Sequence, residues 1–282
     1  MGTFLGYFVP GLSLAILGLW HIINTIQSYS LNFPNPNFTS RFWFPFPYYN
    51  KKLRHLELIF IMIVSFLSIY LLNPYFPSFK LSSFKPKINH VLMFFQLVMF
   101  AFSTLIFDFL NPSDEDSGFI GVHATLVFMQ EVLFLLDSHS TDHLVLESQY
   151  YFLLELAAFV SFFSALVSTL YPKSFYASIV FSVSVMFQGC WFLNMGMEFM
   201  LLVPNHVHRG CVTYTSSNNS IGLDHSALVY ESPCTEIMAQ ALANLEFSWI
   251  LSAILIFTCV LCLKISGESR RVAQLPVVIV RV

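Results

Sequence analysis

"DSHSTDHLVLESQYYFLLE", residues Asp137 to Glu155, decides how many helices the chain makes. It lies between two apolar runs that read either as one interrupted segment or as two. Each run is separately long enough to cross a membrane, and the polar 138–146 stretch would be hard to bury in hydrocarbon. Two helices are therefore predicted here. The stretch also gathers four acids and two histidines into 19 residues of a chain that is only 10% charged. Ionisable side chains beside membrane spans are expensive and tend to be functional.

Working outward, the 282 residues are 56% hydrophobic and 17% aromatic. The mean hydropathy is +0.68. Soluble domains hold roughly 45–50% apolar residues, so the composition predicts an all-α integral membrane protein whose partner is the lipid bilayer. Apolar runs of about 20 residues fall at roughly 4–24, 56–73, 90–110, 119–137, 147–171, 175–203 and 239–263, which predicts a bundle of seven transmembrane helices. Pro74, Pro112, Pro172 and Pro204 each follow a run closely, where a helix must stop. A net charge of -3 spread over several loops leaves no basic footprint, which excludes a nucleic-acid partner.

Lysine and arginine favour the cytoplasmic side. With the N-terminus outside, Arg41, Lys51, Lys52, Arg54, Lys173, Lys264, Arg270, Arg271 and Arg281 lie inside, nine of the thirteen basic residues. The expected organisation is one transmembrane domain over 1–264, followed by a short basic cytoplasmic tail over 265–282. The 28–50 stretch, rich in proline and aromatic rings, reads as an interfacial loop at the headgroup layer. The 204–238 loop reads as extracytoplasmic. Cys211 and Cys234 both fall in that loop and are the one plausible disulfide, and Asn218 is its glycosylation sequon. A second sequon at Asn37 faces the cytosol and should stay bare. The N-terminal run lacks a preceding basic residue and a small-residue cleavage site, so it reads as a retained span.

Polar residues inside the spans include His21, Glu57, His90, Asp108, His123, Gln130, Glu131, Gln188, Asn194, Glu198 and Glu246. An unpaired charge at mid-membrane costs at least ~2.5–3.5 kcal/mol. His21, Glu57, His90, Asp108 and His123 lie near span ends, where snorkelling lowers that cost, and a structural role is expected for them. Glu131 and Glu198 are deeper. His123, Gln130 and Glu131 at i, i+7 and i+8 are read as one helix stripe. In the opening stretch His139, His143, Glu147, Tyr151 and Glu155 recur every four residues and would rise on one helix face. His-x-x-x-His lets two imidazoles from one helix reach one divalent metal such as zinc, with a carboxylate a turn further on. His90 or His123 could complete the ligand set, and Asp142 could orient an imidazole.

These motifs, taken together, resemble the transmembrane protein 45 family, and more closely its plant branch. The resemblance rests on "GLWH" (Gly18 to His21), "NHVLMFF" (Asn89 to Phe95), "QEVLFLLDSHSTDH" (Gln130 to His143), "LESQYYFLLEL" (Leu146 to Leu156), "QGCWFLNMGMEF" (Gln188 to Phe199) and "NLEFSWI" (Asn244 to Ile250). It implies a seven-helix integral membrane protein of unestablished activity and adds no substrate. Members of that family commonly carry histidine where Tyr7 and Tyr151 stand here, a poorer ligand pair for zinc-like ions.

Four functional readings follow, of which a seven-helix receptor is the weakest because no receptor signature appears in the sequence. The first is a metal- or proton-handling membrane protein built on the intramembrane His/Glu residues. The second is a metal-dependent intramembrane hydrolase, in which zinc would activate water. The third is a structural or trafficking component whose polar groups only lock helices together. No catalytic residue is assigned, and an enzyme is the less favoured reading.

Overall fold

The computed structural model describes residues 4–31, 38–45, 54–72, 85–110, 117–138 and 145–198, together with 233–274. All seven apolar runs are helical: α1 (Phe4–Leu31), α2 (Leu56–Leu72), α3 (Lys85–Leu110), α4 (Ser117–Ser138), α5 (Val145–Leu170), α6 (Phe175–Met197) and α7 (Pro233–Gln274). Among the described residues there is no strand. Six helices are long and apolar enough to cross a membrane, while α2, at 17 residues, is a shorter apolar helix. Large side chains such as Ile63, Phe66, Phe109, Phe163 and Ile256 stand exposed on the outer faces. Water would penalise that surface, whereas acyl chains match it.

Helix ends extend beyond the apolar runs wherever polar residues can continue the backbone ladder. The first run was read to residue 24, but α1 carries on through Thr25, Gln27 and Ser28 to Leu31. Pro10 lies inside α1, tolerated as prolines are in membrane helices with close neighbours. A tight turn at 171–174 separates α5 from α6, and the Ser174 side chain accepts from the Ala177 amide at 3.3 Å to cap the new helix.

α1 and α6 form the centre and run antiparallel, with Tyr7 beside Gly196 and Gly18 beside Met186. Glycines recur seven apart on both helices, at 11 and 18 on one and at 189 and 196 on the other. A Cβ on Gly18 would overlap the Met186 backbone, and one on Gly189 would overlap the backbone of Leu14 and Ala15. Backbone therefore meets backbone, which small residues permit and which van der Waals packing in a membrane rewards. Around this pair α2 packs on α3, α4 on α5 and α5 on α6, and α7 lies against α1, α5 and α6.

The 38–45 segment closes one end of the bundle. Phe38, Ser40, Phe42, Trp43 and Phe44 are buried. The Ser40 amide donates to the Pro172 carbonyl at 2.6 Å, and the Ser40 hydroxyl donates to the Ser168 carbonyl at 2.9 Å. Phe42 meets Phe181 edge-on at 5.4 Å, and Phe38 and Phe175 meet likewise at 5.9 Å. Rings whose density suits a headgroup layer are here turned inward against the helices.

Gly18→Ala and Gly189→Ala should each destabilise the purified protein by about 3 kcal/mol, at the upper end of overpacking costs. Gly267→Ala, where an added Cβ meets nothing within 4 Å, should lose no stability. Thermal unfolding in detergent reads all three, and an unchanged midpoint for Gly18→Ala would refute the close crossing.

Candidate functional site

Three groups of polar side chains lie along the bundle axis, two of them buried and the third half-buried around the buried Tyr150. The first is at the end where α1 finishes and α2 starts. Glu57 accepts from Trp20 Nε1 at 3.0 Å and from the Phe44 amide at 2.8 Å, and it pairs with His21 Nε2 at 2.7 Å. His21 and Glu57 are 7% and 5% exposed, so both are cut off from the surroundings. This corrects the expectation that they snorkel from span ends. Hydropathy reports depth along one helix and cannot report a partner on the next. Nearby Arg54 donates to Asp108 at 2.7 Å and stands 5.9 Å from the centre of the Trp43 ring, so Asp108 has an ionic partner.

At the middle, Gln188 of α6 donates to Ser161 Oγ at 2.9 Å, and Ser161 donates to Ser184 at 2.9 Å. The same amide group lies beside the Glu131 carboxyl of α4. Glu131 is 6% exposed and Gln188 fully buried, and Gln188 Oε1 has no partner. Among the described residues Glu131 has no ion pair with a basic side chain.

The third group is at the opposite end, where α5 and α7 begin and α6 finishes. Tyr150 donates to Glu246 Oε2 at 2.7 Å, and Asn194 Nδ2 donates to the same oxygen at 2.8 Å. The Glu198 carboxyl is within hydrogen-bonding reach of Glu246. Trp191, fully buried, donates to the Tyr150 carbonyl at 3.1 Å and stacks on its ring at 5.2 Å, which fixes the tyrosine. Tyr7 and Tyr151 meet hydroxyl to hydroxyl at 3.0 Å.

A cavity of about 100 Å³ opens between α1 and α6 on one side and α2, α3 and α4 on the other. His21 and Glu57 line it, as do Glu131 and Gln188, and the remaining wall is almost wholly apolar. On α4 the lining residues are Ala124, Val127, Phe128 and Glu131, spaced as one helix face. His123 is turned away from that face. It bonds Ser103 of α3 at 2.8 Å and meets Phe100 edge-on at 5.5 Å. Eight residues rotate a helix by about 80°, which carries His123 off the stripe that was expected to hold it with Glu131.

The other residues singled out by sequence are placed as follows. Glu155 is buried on α5. His139, Asp142 and His143 lie outside the described residues, as do Cys211 and Asn218. Only the backbone is described at His90, Glu147 and Cys234. Among the described residues no three His, Cys, Asp or Glu side chains gather as a metal-binding group. The His21–Glu57 pair was missed as a unit. Its signal was two ionisable residues at the same end of consecutive helices.

Removing one member of a buried pair costs about 3–5 kcal/mol because the other is left uncompensated. His21→Ala and Glu57→Ala should each lower stability by roughly that amount, and the double variant should cost less than the sum. Unfolding of the four proteins as a double-mutant cycle measures it. Strict additivity would mean that His21 and Glu57 act separately.

No curated protein matches the chain. Residues 117–263, from the start of α4 into α7, match the DUF716 family, and they include Glu131, Tyr150, Gln188, Glu198 and Glu246. The chain belongs to this family, a family of unknown function.

Proposed function

We propose that the protein is a seven-span membrane protein that takes up and passes protons through the carboxyl groups inside its helix bundle. The observation that carries this reading is the Glu198–Glu246 pair. Two carboxylates so close in apolar surroundings repel, and the repulsion is relieved when they share one proton. Tyr150 and Asn194 both donate to one oxygen of Glu246, which holds that carboxyl in place beside Glu198. The middle group and the His21–Glu57 pair continue the series of proton-bearing groups to the other end of the bundle.

The seventh span is supported by parity. α1 and α6 are antiparallel, so an even number of crossings separates them. α3, α4 and α5 contribute three, and α2 supplies the fourth. Its 17 residues sit at the lower limit for a span of ~17–25 residues. The charge rule then puts the N-terminus and the 204–238 loop outside, with the Cys211–Cys234 disulfide and an Asn218 glycan on that side. The finer kinship with the transmembrane protein 45 family remains part of this proposal. A metal role would rest on the 139–147 stretch, beyond the described side chains, and no observation of the bundle favours it.

Purified protein in liposomes loaded with a pH-sensitive dye tests the reading. Under an imposed gradient the wild type should acidify the lumen faster than protein-free vesicles. Glu246→Gln should slow this by about a hundredfold, within the usual effect of removing a proton-transfer group. A wild type no faster than empty vesicles would sink the proposal and leave the acid pair as a lock between α6 and α7.

A further inference from the structure

The cavity contains a chemistry that proton passage alone does not use. Its polar lining is His21, Glu57, Glu131 and Gln188 with the hydroxyls of Ser13 and Ser65, and the first four are not equally occupied. Glu57 already accepts from Trp20, His21 and the Phe44 amide. Among the described residues Glu131 has only the neutral Gln188 amide beside it, and Gln188 itself keeps an unpartnered oxygen. Two buried acceptors therefore stand at the edge of the cavity, and among the described residues no basic side chain pairs with Glu131.

The rest of the wall fixes what else the occupant must be. Phe94, Phe100, Phe128, Phe181 and Phe192 line it beside aliphatic side chains. A water needs two to four polar partners to sit stably in a cavity, and most of this space offers none. Phenyl rings attract cations and apolar groups alike. A volume of about 100 Å³ matches a body of one small ring or a short alkyl chain.

The geometry points to a binding site for a small apolar amine, its nitrogen held by Glu131 and Gln188 and its hydrocarbon body among the phenylalanines. An amine solves the problem of charge in this place. The neutral amine enters from the lipid, the Glu131 O–H bond breaks, an N–H bond forms on the amine, and an ammonium–carboxylate pair results. No net charge is carried into the bundle. Taken from water, where the amine is already protonated, the same complex forms with release of the Glu131 proton.

Competition between proton and ammonium for Glu131 makes binding pH-dependent. Of the groups around it, α1 presents His21 and α2 presents Glu57, which hold each other. Among the described side chains α3 presents only apolar residues to the cavity and α6 the neutral Gln188, while Glu155 is buried on the adjoining α5. Glu131 is thus the carboxyl that answers to the amine. This site refines the proton-handling reading by naming what would exchange for a proton. Binding itself needs no vectorial flow and is measured in micelles.

The test is calorimetry on the purified full chain in detergent, with cyclopentylamine and cyclopentanol as probes of equal shape. Charge-assisted bonds are roughly twice as strong as neutral ones, so the amine should bind about tenfold more tightly. In Glu131→Gln the two probes should bind alike, whereas Glu246→Gln should keep the preference. The wild type alone gives a second reading. Amine affinity should fall as pH is lowered through the Glu131 titration while that of cyclopentanol stays flat, and the heats should vary with buffer as one proton is released. Equal affinity of the wild type for both probes, a preference that survives Glu131→Gln, or a flat pH profile for the amine would each overturn the assignment. Amine binding without proton flux in liposomes would refute the transport reading and leave this one standing.

Discussion

Backbone contact between α1 and α6 is the constraint on which the rest of the bundle depends. Acyl chains are as apolar as leucine, so helices in a bilayer gain little from hiding hydrophobic surface from water and must gain from close packing instead. Gly18 against Met186 and Gly189 against Leu14 and Ala15 provide that closeness along about one turn of helix. The pair then acts as a wall. α5 lies against it through α6, and α2 lies against it through α1. The remaining space between this wall and α2, α3 and α4 is the cavity, which exists because α1 and α6 are joined too tightly to spread and fill it.

Polar groups follow from the same constraint. Once the wall is fixed, residues facing inward have neighbours at set distances, and each expensive group either finds one or remains available. His21 and Glu57 find each other. Ser161 and Ser184 find each other and Gln188. Glu246 collects Tyr150 and Asn194, with Glu198 close by. Among the described residues Glu131 finds only an amide. The difference between a satisfied carboxyl and an available one is a matter of which helix stands opposite.

Much of the architecture was legible in the sequence. Seven apolar runs became seven helices, and the proline after Tyr171 marked the turn into α6. The glycines at 11, 18, 189 and 196 were visible too, but nothing in either helix announces that it will meet the other across some 170 residues. The site was legible only as an inventory. Glu131, Gln188, Glu198 and Glu246 could be named as polar residues within the spans, whereas their sorting into a middle group and an end group required the packing. His21 and Glu57 looked like headgroup residues because a sequence gives each helix its own depth scale without the pairing between helices. The His123 stripe failed for a smaller reason, since a step of eight residues is close to two turns of helix without closing on them.

The short 38–45 segment has a consequence for how the chain enters its membrane. Ribosomes deliver helices in order, and this segment emerges right after the first of them. Its buried place, however, is made by Ser168, Pro172, Phe175 and Phe181, which emerge more than 120 residues later. The glycine face of α1 waits for α6 over a similar interval. Insertion of the first half therefore yields helices in lipid without a finished core, and the arrival of the α5–α6 hairpin both supplies α1 with its partner and seats the first loop. Assembly is thus completed from the later helices back toward the earlier ones, so a chain interrupted before α6 leaves the inserting machinery with its first loop unseated and with the least stable surface exposed for quality control to recognise.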